Sequence, residues 1–166
     1  MKIKFLIVLI PIALVFSMLL FFNITAEEIK WNSFNTAMAE SKLSNKKIIV
    51  DVFTDWCVWC KKMDKTTYDD KKVVSYLNEK YLAVKLDAES NSELTFEGVK
   101  YSEQQFSHGL GITGYPSTIF IDENGKVITV VPGYIQPNEF LNIIKYIGED
   151  TYKTKSYEEF LKKSGS

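Results

Sequence analysis

The stretch Trp56-Cys57-Val58-Trp59-Cys60-Lys61 contains the only two cysteines of the chain, spaced as C-x-x-C, and this pair decides the fold prediction. A two-residue spacer is typical of a reversible dithiol rather than a structural crosslink. In the chain-entropy model, closing a ring of four residues adds only about 2 kcal/mol of stability, against roughly 3 kcal/mol for a ring of fifteen. The pair is therefore predicted to be a redox-active disulfide.

Metal and haem sites fit this pair poorly. Zinc normally takes four Cys, His or carboxylate ligands. Besides the two cysteines, this sequence has only one histidine, His108. A covalently attached c-type haem needs a histidine directly after the second cysteine, where this chain has Lys61. We therefore expect no metal site and no cofactor. The simplest interpretation of His108 is a residue at a helix C-terminus that interacts with free carbonyl groups.

The charge balance argues against nucleic acid as a partner. The chain of 166 residues has 20 basic and 21 acidic side chains and a formal net charge of −1, so no large basic surface is predicted. Every basic residue is a lysine, which removes the bidentate forks that arginine offers to phosphate groups. The length allows one domain of about 140 residues after an N-terminal leader.

The N-terminus has the pattern of a targeting segment. Lys2 precedes an almost unbroken apolar run over residues 5–22, which is typical of a signal sequence or a membrane anchor. Cleavage after Ala26 and a retained anchor are equally open, because Ile24 stands where cleavage prefers a small residue and the run is barely long enough to span a bilayer. Residues 1–26 are thus expected to place the domain in the periplasm or another oxidising, extracytoplasmic compartment.

Hydrophobic patterning predicts alternating helices and strands over residues 27–150. The predicted helices cover residues 33–42, 71–80, 102–109 and a stretch that begins at residue 137, and the predicted strands cover residues 48–53, 82–87, 117–121 and 126–131. Two hairpins are expected, around Gly98 and at the turn Asp122-Glu123-Asn124-Gly125. Residues 151–166 are predicted to form a tail with a short helix at the capping box that starts at Ser156. The predicted order is strand, helix, strand bearing the cysteines, helix, parallel strand by crossover, helix, antiparallel hairpin and helix. This order predicts an α/β domain with a mixed sheet covered by helices.

Three separate features accompany the cysteine pair: Asp51 six residues before Cys57, Trp56 directly before it, and Gly114-Tyr115-Pro116-Ser117 before a predicted strand. With these features the chain resembles the thioredoxin superfamily over about residues 29–148. It resembles exported thioredoxin-related proteins, such as the SoxW-like group and the C-terminal domain of DsbD, more than cytosolic thioredoxin. Val58-Trp59 replaces the Gly-Pro of thioredoxin, and the stretch from Asp87 to Pro116 is longer than is typical there. The resemblance implies a thioredoxin fold, a mixed central sheet flanked by helices, with a hairpin-containing insertion before the cis-proline.

The chemistry of the predicted site is divided among four residues. Cys57, near the start of a helix, is expected to be the nucleophile because free N–H groups and the helix dipole stabilise a thiolate. Cys60, one turn further in, is expected to be less exposed and to act as the resolving cysteine. The resemblance implies that Asp51 lies beneath the cysteines as proton acceptor for Cys60. Its burial in an apolar strand should raise its pKa, with Lys85 on the neighbouring strand as partner.

The resemblance also implies a substrate-binding surface next to the cysteines. Pro116 is expected to follow a cis peptide bond that exposes the Tyr115 backbone for pairing with an extended substrate segment. Trp56 is expected to pack against the site. For Trp59 two interpretations are open, an exposed docking surface and simple packing on the insertion at residues 88–109.

The expected function is that of an exported thiol–disulfide oxidoreductase, acting as a monomeric reductase of protein disulfides. The resemblance and the compartment imply a membrane electron donor of the DsbD or CcdA type. Disulfide oxidation or isomerisation is an alternative, because it uses the same residues at a higher potential and the Val58-Trp59 spacer does not fix the direction. A non-enzymatic alternative is a thiol-dependent copper-binding chaperone with Met63 and His108 as auxiliary ligands.

Overall fold

The computed structural model of the chain describes residues 27–164, so the leader expected at residues 1–26 lies outside the described residues. The elements follow in the order β1 (Trp31–Asn32), α1 (Phe34–Ser44), β2 (Lys47–Phe53), α2 (Val58–Thr66), α3 (Lys71–Lys80), β3 (Tyr81–Asp87), β4 (Glu93–Phe96), β5 (Val99–Ser102), α4 (Glu103–Gly109), β6 (Ser117–Ile121), β7 (Val127–Pro132), α5 (Pro137–Gly148), a 3-10 turn (Thr151–Lys153) and α6 (Tyr157–Ser164). The predicted helices and strands are confirmed within about two residues. Over the stretch that the structure describes, no helix has the length and apolar character needed to cross a membrane.

Five strands form one mixed sheet in the order β1-β3-β2-β6-β7. Strands β1, β3 and β2 are parallel, whereas β6 is antiparallel to β2 and β7 is antiparallel to β6. The last residues of β2, β3 and β7 therefore lie at the same end of the sheet as the first residue of β6. We call this the cysteine end, because Cys57 follows β2, and we call the opposite end the distal end.

The central strand β2 separates two halves of the core. Its residues alternate between the faces of the sheet, as strand geometry requires. Ile48 and Val50 belong to the half that includes residues of α1 and α4, whereas Ile49 packs with Phe140 and other residues of α2, α3 and α5. By the same alternation, Asp51 points to the face covered by α2, α3 and α5. A carboxylate thus lies in the middle of the sheet, beneath the helix that carries the cysteines.

Side-chain caps fix the starts of several helices. Ser33 Oγ accepts a hydrogen bond from the Thr36 N–H at 3.2 Å, and Ser102 forms the predicted capping box at the start of α4. The second predicted capping box is also confirmed, since Ser156 Oγ accepts from the Glu159 N–H at 3.2 Å. These local signals are the reason why the helix boundaries follow so closely from the sequence.

The insertion at residues 88–109 is part of the core rather than a projecting loop. It consists of a loop after β3, the hairpin β4–β5 and helix α4. The hairpin turns at Glu97 and Gly98, whose φ angles of 51° and 79° suit a tight two-residue turn. The Phe106 ring lies 5.0 Å from Phe34 and 5.1 Å from Phe96, so α4, α1 and the hairpin share one aromatic cluster.

The chain is fastened at the distal end of the sheet both near Lys30 and near Asp150. At the N-terminal side, the Lys30 N–H donates to Asn78 Oδ1 at 3.0 Å, close to the end of α3. At the C-terminal side, Asp150 lies 2.9 Å from Lys47 Nζ, and Lys47 is the first residue of β2. The segments that lead into and out of the domain are therefore far along the sheet from the cysteines.

The turn between β6 and β7 requires a glycine at position 125. The Gly125 φ angle is +85°, and a Cβ atom there would lie 2.9 Å from Met38 Cε. We expect Gly125→Ala to lower the free energy of unfolding by about 1–2 kcal/mol, measured by urea denaturation, because alanine is strained at this φ and Met38 has to move. Gly109→Ala is the control, since Gly109 has an ordinary φ and open space around it. Equal losses in the two variants would contradict the prediction.

Candidate active site

Cys57 and Cys60 form a disulfide at the N-terminus of α2, with their Cα atoms 5.3 Å apart. Cys57 is the N-cap residue, and its sulfur accepts a hydrogen bond from the Cys60 N–H at 3.0 Å. The first N–H groups of a helix have no partner within the helix, and the helix dipole adds a partial positive charge there. This position stabilises a thiolate on Cys57 when the disulfide is reduced.

The prediction that Cys60 is less exposed than Cys57 is wrong for the disulfide form, because both residues are only 4% exposed. The bond holds the Cys57 sulfur to Cys60 in the first turn of α2, so neither cysteine projects on its own. The flanking indoles are exposed instead, with Trp56 at 64% and Trp59 at 53%. The two indoles are therefore more accessible than the sulfurs.

Asp51 is buried at the centre of the sheet, only 2% exposed. Its register neighbours are Lys85 on β3 and Thr118 on β6. The predicted partner is confirmed, since Lys85 Nζ lies 3.4 Å from Asp51 Oδ2, while Asp51 Oδ1 has no hydrogen-bond partner among the described residues. Burial raises the pKa of Asp51 to about 6 even though the Lys85 charge acts in the opposite direction.

A second carboxylate, Asp64, shares the same lysine. Asp64 lies on α2 and forms an ion pair and hydrogen bond with Lys85 Nζ, so that Lys85 sits between Asp64 and Asp51. The Asp64 charge contributes to the raised pKa of Asp51, after burial. Sequence reasoning missed Asp64. Its spacing of four residues after Cys60 was an available signal, because that spacing puts both side chains on one face of a helix.

Tyr68 completes the buried polar cluster around Asp51. The Tyr68 and Thr118 hydroxyls are both buried, and neither has a hydrogen-bond partner of good geometry within residues 27–164. Burial, followed by the negative charge of Asp51, raises the pKa of Tyr68 well above its usual range, so the phenol stays protonated. The Tyr68 ring also packs edge-on against Trp31 at 5.4 Å between centroids. Neutral hydroxyls and one lysine thus surround a carboxylate that can gain or lose a proton near neutral pH.

On one side of the disulfide, Trp56 is held by a residue of the insertion. Its Nε1–H donates to Glu89 Oε1 at 2.9 Å, and its ring lies 6.0 Å from that of Tyr115 in an edge-on arrangement. The Tyr115–Pro116 peptide bond is cis, and Pro116 directly precedes β6. The structure therefore brings together Trp56, Tyr115 and Pro116, all named from the sequence, and adds Glu89, which was not.

On the other side of the disulfide, Trp59 packs against Tyr134 rather than against the insertion. The ring centroids are 5.5 Å apart, and Lys62 Nζ lies 4.6 Å from the Trp59 ring and 4.8 Å from the Tyr134 ring. The Tyr134 hydroxyl is 3.1 Å from Thr66 Oγ1, which anchors this contact to α2. Tyr134 was missed because it lies 75 residues beyond Trp59 in the sequence.

The two residues proposed as auxiliary copper ligands lie on different helices, Met63 on α2 and His108 on α4. Met63 is fully buried in the hydrophobic core, and His108 lies exposed in the last turn of α4, where a helix C-terminal role was expected. Within residues 27–164, no group of three or more His, Cys, Asp and Glu side chains is placed to hold a metal ion.

A family model described as a thioredoxin-like domain matches residues 34–148, and the chain therefore belongs to the thioredoxin-like domain family. A curated relative is the thiol:disulfide interchange protein DsbD of Actinobacillus pleuropneumoniae, 34% identical over 99 residues. That match covers 58% of this chain and only 15% of the DsbD chain, so the present chain spans a small part of that relative. Together with the Cys57–Cys60 disulfide, these similarities define a thiol–disulfide oxidoreductase.

Solved structures agree with this fold. A thioredoxin-fold protein from Helicobacter pylori has a TM-score of 0.64 at 22% identity, over 72% of this chain and 80% of that one. The C-terminal domain of DsbD from Neisseria meningitidis, in its oxidised form, has a TM-score of 0.50 at 17% identity, over 70% of this chain and 97% of that one. The predicted fold and the resemblance to the thioredoxin superfamily are both confirmed.

Proposed function

We propose that this protein is an exported thiol–disulfide oxidoreductase that works as a reductase, delivering electrons to disulfides in protein substrates. The observation that carries the proposal is a disulfide at the N-terminus of α2, above a buried carboxylate, Asp51, whose pKa is raised to about 6. A helix N-terminus favours the attacking thiolate, and a group that titrates near neutral pH suits proton transfer.

The reaction proceeds in two exchanges. In the reduced protein, the Cys57 thiolate attacks a substrate disulfide, forms a mixed disulfide and releases one substrate sulfur as a thiolate, which takes up a proton. Cys60 then loses its proton to the Asp51 carboxylate and attacks the Cys57 sulfur. The mixed disulfide breaks, the second substrate sulfur leaves as a thiolate and takes up the proton held by Asp51, and the Cys57–Cys60 disulfide forms. Two electrons have passed from the dithiol to the substrate.

Substrate segments dock on Trp56, Trp59, Tyr115 and Pro116 in this proposal. The exposed indoles offer large apolar contacts at low entropic cost. In the described part of the chain, the Tyr115 backbone makes no hydrogen bond, so its N–H and carbonyl groups are free to pair with an extended peptide. Such pairing gives affinity without demanding one particular sequence.

The proposal places the domain outside the cytoplasm, with residues 1–26 as signal sequence or anchor and residues 27–150 as the catalytic domain. An oxidising compartment leaves the dithiol oxidised unless electrons are supplied. We therefore include a membrane-bound dithiol donor of the DsbD or CcdA type as the reductant of the Cys57–Cys60 disulfide, and a monomeric catalytic unit. The similarity to a thiol:disulfide interchange protein supports this assignment.

The reduction potential of the Cys57–Cys60 pair tests the direction of transfer. The full-length protein is equilibrated with dithiothreitol or glutathione buffers, and the reduced fraction is measured by thiol alkylation and mass spectrometry. We expect a value near that of thioredoxin, about −270 mV, together with reduction of insulin. A value near about −120 mV would make the protein an oxidase. Tight copper binding by the reduced protein without insulin reduction would instead favour the copper-chaperone alternative.

A further inference from the structure

Exposed apolar side chains are concentrated at the disulfide. Of the six large hydrophobic side chains that are exposed in the described chain, three lie within four consecutive residues, namely Trp56, Val58 and Trp59. The other three, Trp31, Leu43 and Val99, are separated in the sequence. A local apolar patch of this kind marks a surface that contacts another polypeptide. Its chemistry therefore indicates which substrate segments the protein accepts.

The sheet order places two different sets of side chains on either side of the disulfide. Across the cysteine end, the strands follow one another in the order β3, β2, β6 and β7. Glu89, Cys57 and Tyr134 come after β3, β2 and β7 in the chain, and Pro116 comes directly before β6. Glu89 therefore lies towards one side of the disulfide and Tyr134 towards the other. A peptide that crosses the disulfide and Pro116 contacts both sets.

The side that follows β3 is acidic. Glu89 accepts the hydrogen bond from Trp56 Nε1–H, and Asp87 lies two residues before Glu89. Burial raises the pKa of Tyr115, and the charges of Glu89 and Asp87 raise it further, so both carboxylates act on the residue before Pro116. We call Trp56, Asp87 and Glu89 the acidic wall; Tyr115, which precedes β6, contacts it through the Trp56 ring.

The side that follows β7 is basic. Lys62 Nζ lies over the rings of both Trp59 and Tyr134, and we call these three residues the basic wall. Lys61 and Lys65 are exposed on the same helix. Among the described residues, no carboxylate lies within ion-pair distance of Lys61, Lys62 or Lys65. Asp64, on the same helix, is bound to Lys85 instead. The charges of the basic wall are thus available to a partner.

We propose that the two walls select substrate segments by the order of their charges around the reacting cysteine. A preferred segment is extended, with its reacting cysteine between a basic residue and an acidic residue. The basic residue reaches the acidic wall, and the acidic residue reaches the basic wall. Pairing with the Tyr115 backbone fixes the direction of the segment, so the reversed order meets like charges on both sides. The inference rests on the proposed reductase function and adds substrate preference to it.

The test uses two synthetic peptides with the same composition and opposite charge order, Lys-Lys-Ala-Cys-Ala-Glu-Glu and Glu-Glu-Ala-Cys-Ala-Lys-Lys, both with blocked ends. In each, the cysteine is joined in a mixed disulfide to thionitrobenzoate, whose release by the reduced full-length protein is followed by absorbance. We expect the second-order rate constants to differ at least threefold at low ionic strength and to converge in about 0.5 M salt, where charges are screened within a few ångströms. Equal rates at low salt would overturn the proposal.

Charge-reversal variants decide whether the walls cause the difference. The double variant Glu89→Lys/Lys62→Glu is expected to invert the preference, and Glu89→Gln, which keeps an acceptor for Trp56 Nε1, is expected to reduce it. Glu40→Lys and Lys72→Glu change equivalent exposed charges on α1 and α3 and are expected to leave the preference unchanged. A preference that persists in the double variant, or that changes equally in the control variants, would overturn the proposal.

The outcomes also separate this proposal from the reductase function. If both peptides are reduced rapidly at the same rate, the reductase function stands and the charge selection fails. If neither peptide releases thionitrobenzoate faster than a monothiol of similar thiolate content does, the reductase function itself fails. Insulin reduction by the two control variants provides an independent check that the dithiol is active.

Discussion

Replacing Cys60 with alanine is expected to arrest the reaction at the mixed disulfide, so that substrates stay covalently attached to Cys57. Attack by Cys57 needs only its own thiolate at the N-terminus of α2, whereas release needs the second sulfur one turn further along the helix. Replacing Cys57 with serine is expected to lower insulin reduction by about three orders of magnitude or more, because a serine hydroxyl is not ionised at neutral pH.

The trapped complexes are measured on non-reducing gels, and the attached partners are identified by mass spectrometry after elution with dithiothreitol. The double variant Cys57→Ala/Cys60→Ala is the control and is expected to capture nothing. Equal capture by Cys57→Ala and Cys60→Ala would contradict the assignment of Cys57 as nucleophile. Absence of any Cys57-linked protein would contradict protein disulfides as the substrate.

Asp51→Asn is expected to make the protein more stable and slower. The folded-state pKa of Asp51 is about 6, above the usual value of 3.8, so between these pH values the folded state binds more protons than the unfolded state. The free energy of unfolding of the wild type therefore falls as pH rises through this range, by about 3 kcal/mol in total. Asparagine stays neutral, and Lys85 keeps Asp64 as partner. The variant should match the wild type near pH 4 and exceed it by about 2–3 kcal/mol above pH 7.

The same substitution removes the proton acceptor for Cys60. In single-turnover measurements, we expect resolution of the mixed disulfide by the wild type to accelerate as pH rises through the pKa of Asp51, about 6. The Asp51→Asn variant should lose this pH-dependent rise and resolve about two orders of magnitude more slowly. Asp64→Asn is the matched control: because the Asp64 charge helps to raise the pKa of Asp51, this variant should keep the rise but move it to lower pH. An unchanged pH profile in Asp51→Asn would exclude it as proton acceptor.

Much of the fold was predictable because its signals are local. The apolar run of β2, the turn before Lys126 and the capping boxes at Ser102 and Ser156 each specify one boundary within a few residues of sequence. The first strand was predicted only by its place in the element order, without residues, because only Trp31 and Asn32 pair with β3. Two residues are too few to show the alternation by which a strand is recognised.

The site was predictable only where its residues lie close to the cysteine motif or in a second recognisable motif. Asp51 and Trp56 belong to the first group and Pro116 to the second. Glu89 and Tyr134 lie 33 and 75 residues beyond the tryptophans they contact, and the order of strands in the sheet brings them there. Neither carries a local pattern that distinguishes it from an ordinary surface residue. Their recognition needs the topology.

The contacts of Lys30 with Asn78 and of Asp150 with Lys47 make the two ends of the domain different: the chain enters and leaves at the distal end, opposite the cysteine end. A linker attached at either terminus therefore joins the domain at the distal end, while the reactive sulfurs lie at the cysteine end. In the proposal that residues 5–22 anchor the protein, the anchor joins the domain at the end of the sheet opposite the cysteines, and the linker length sets the distance that the sulfurs can reach from the bilayer. For the same reason, a fluorophore or affinity tag at the C-terminus should leave encounters with partners undisturbed.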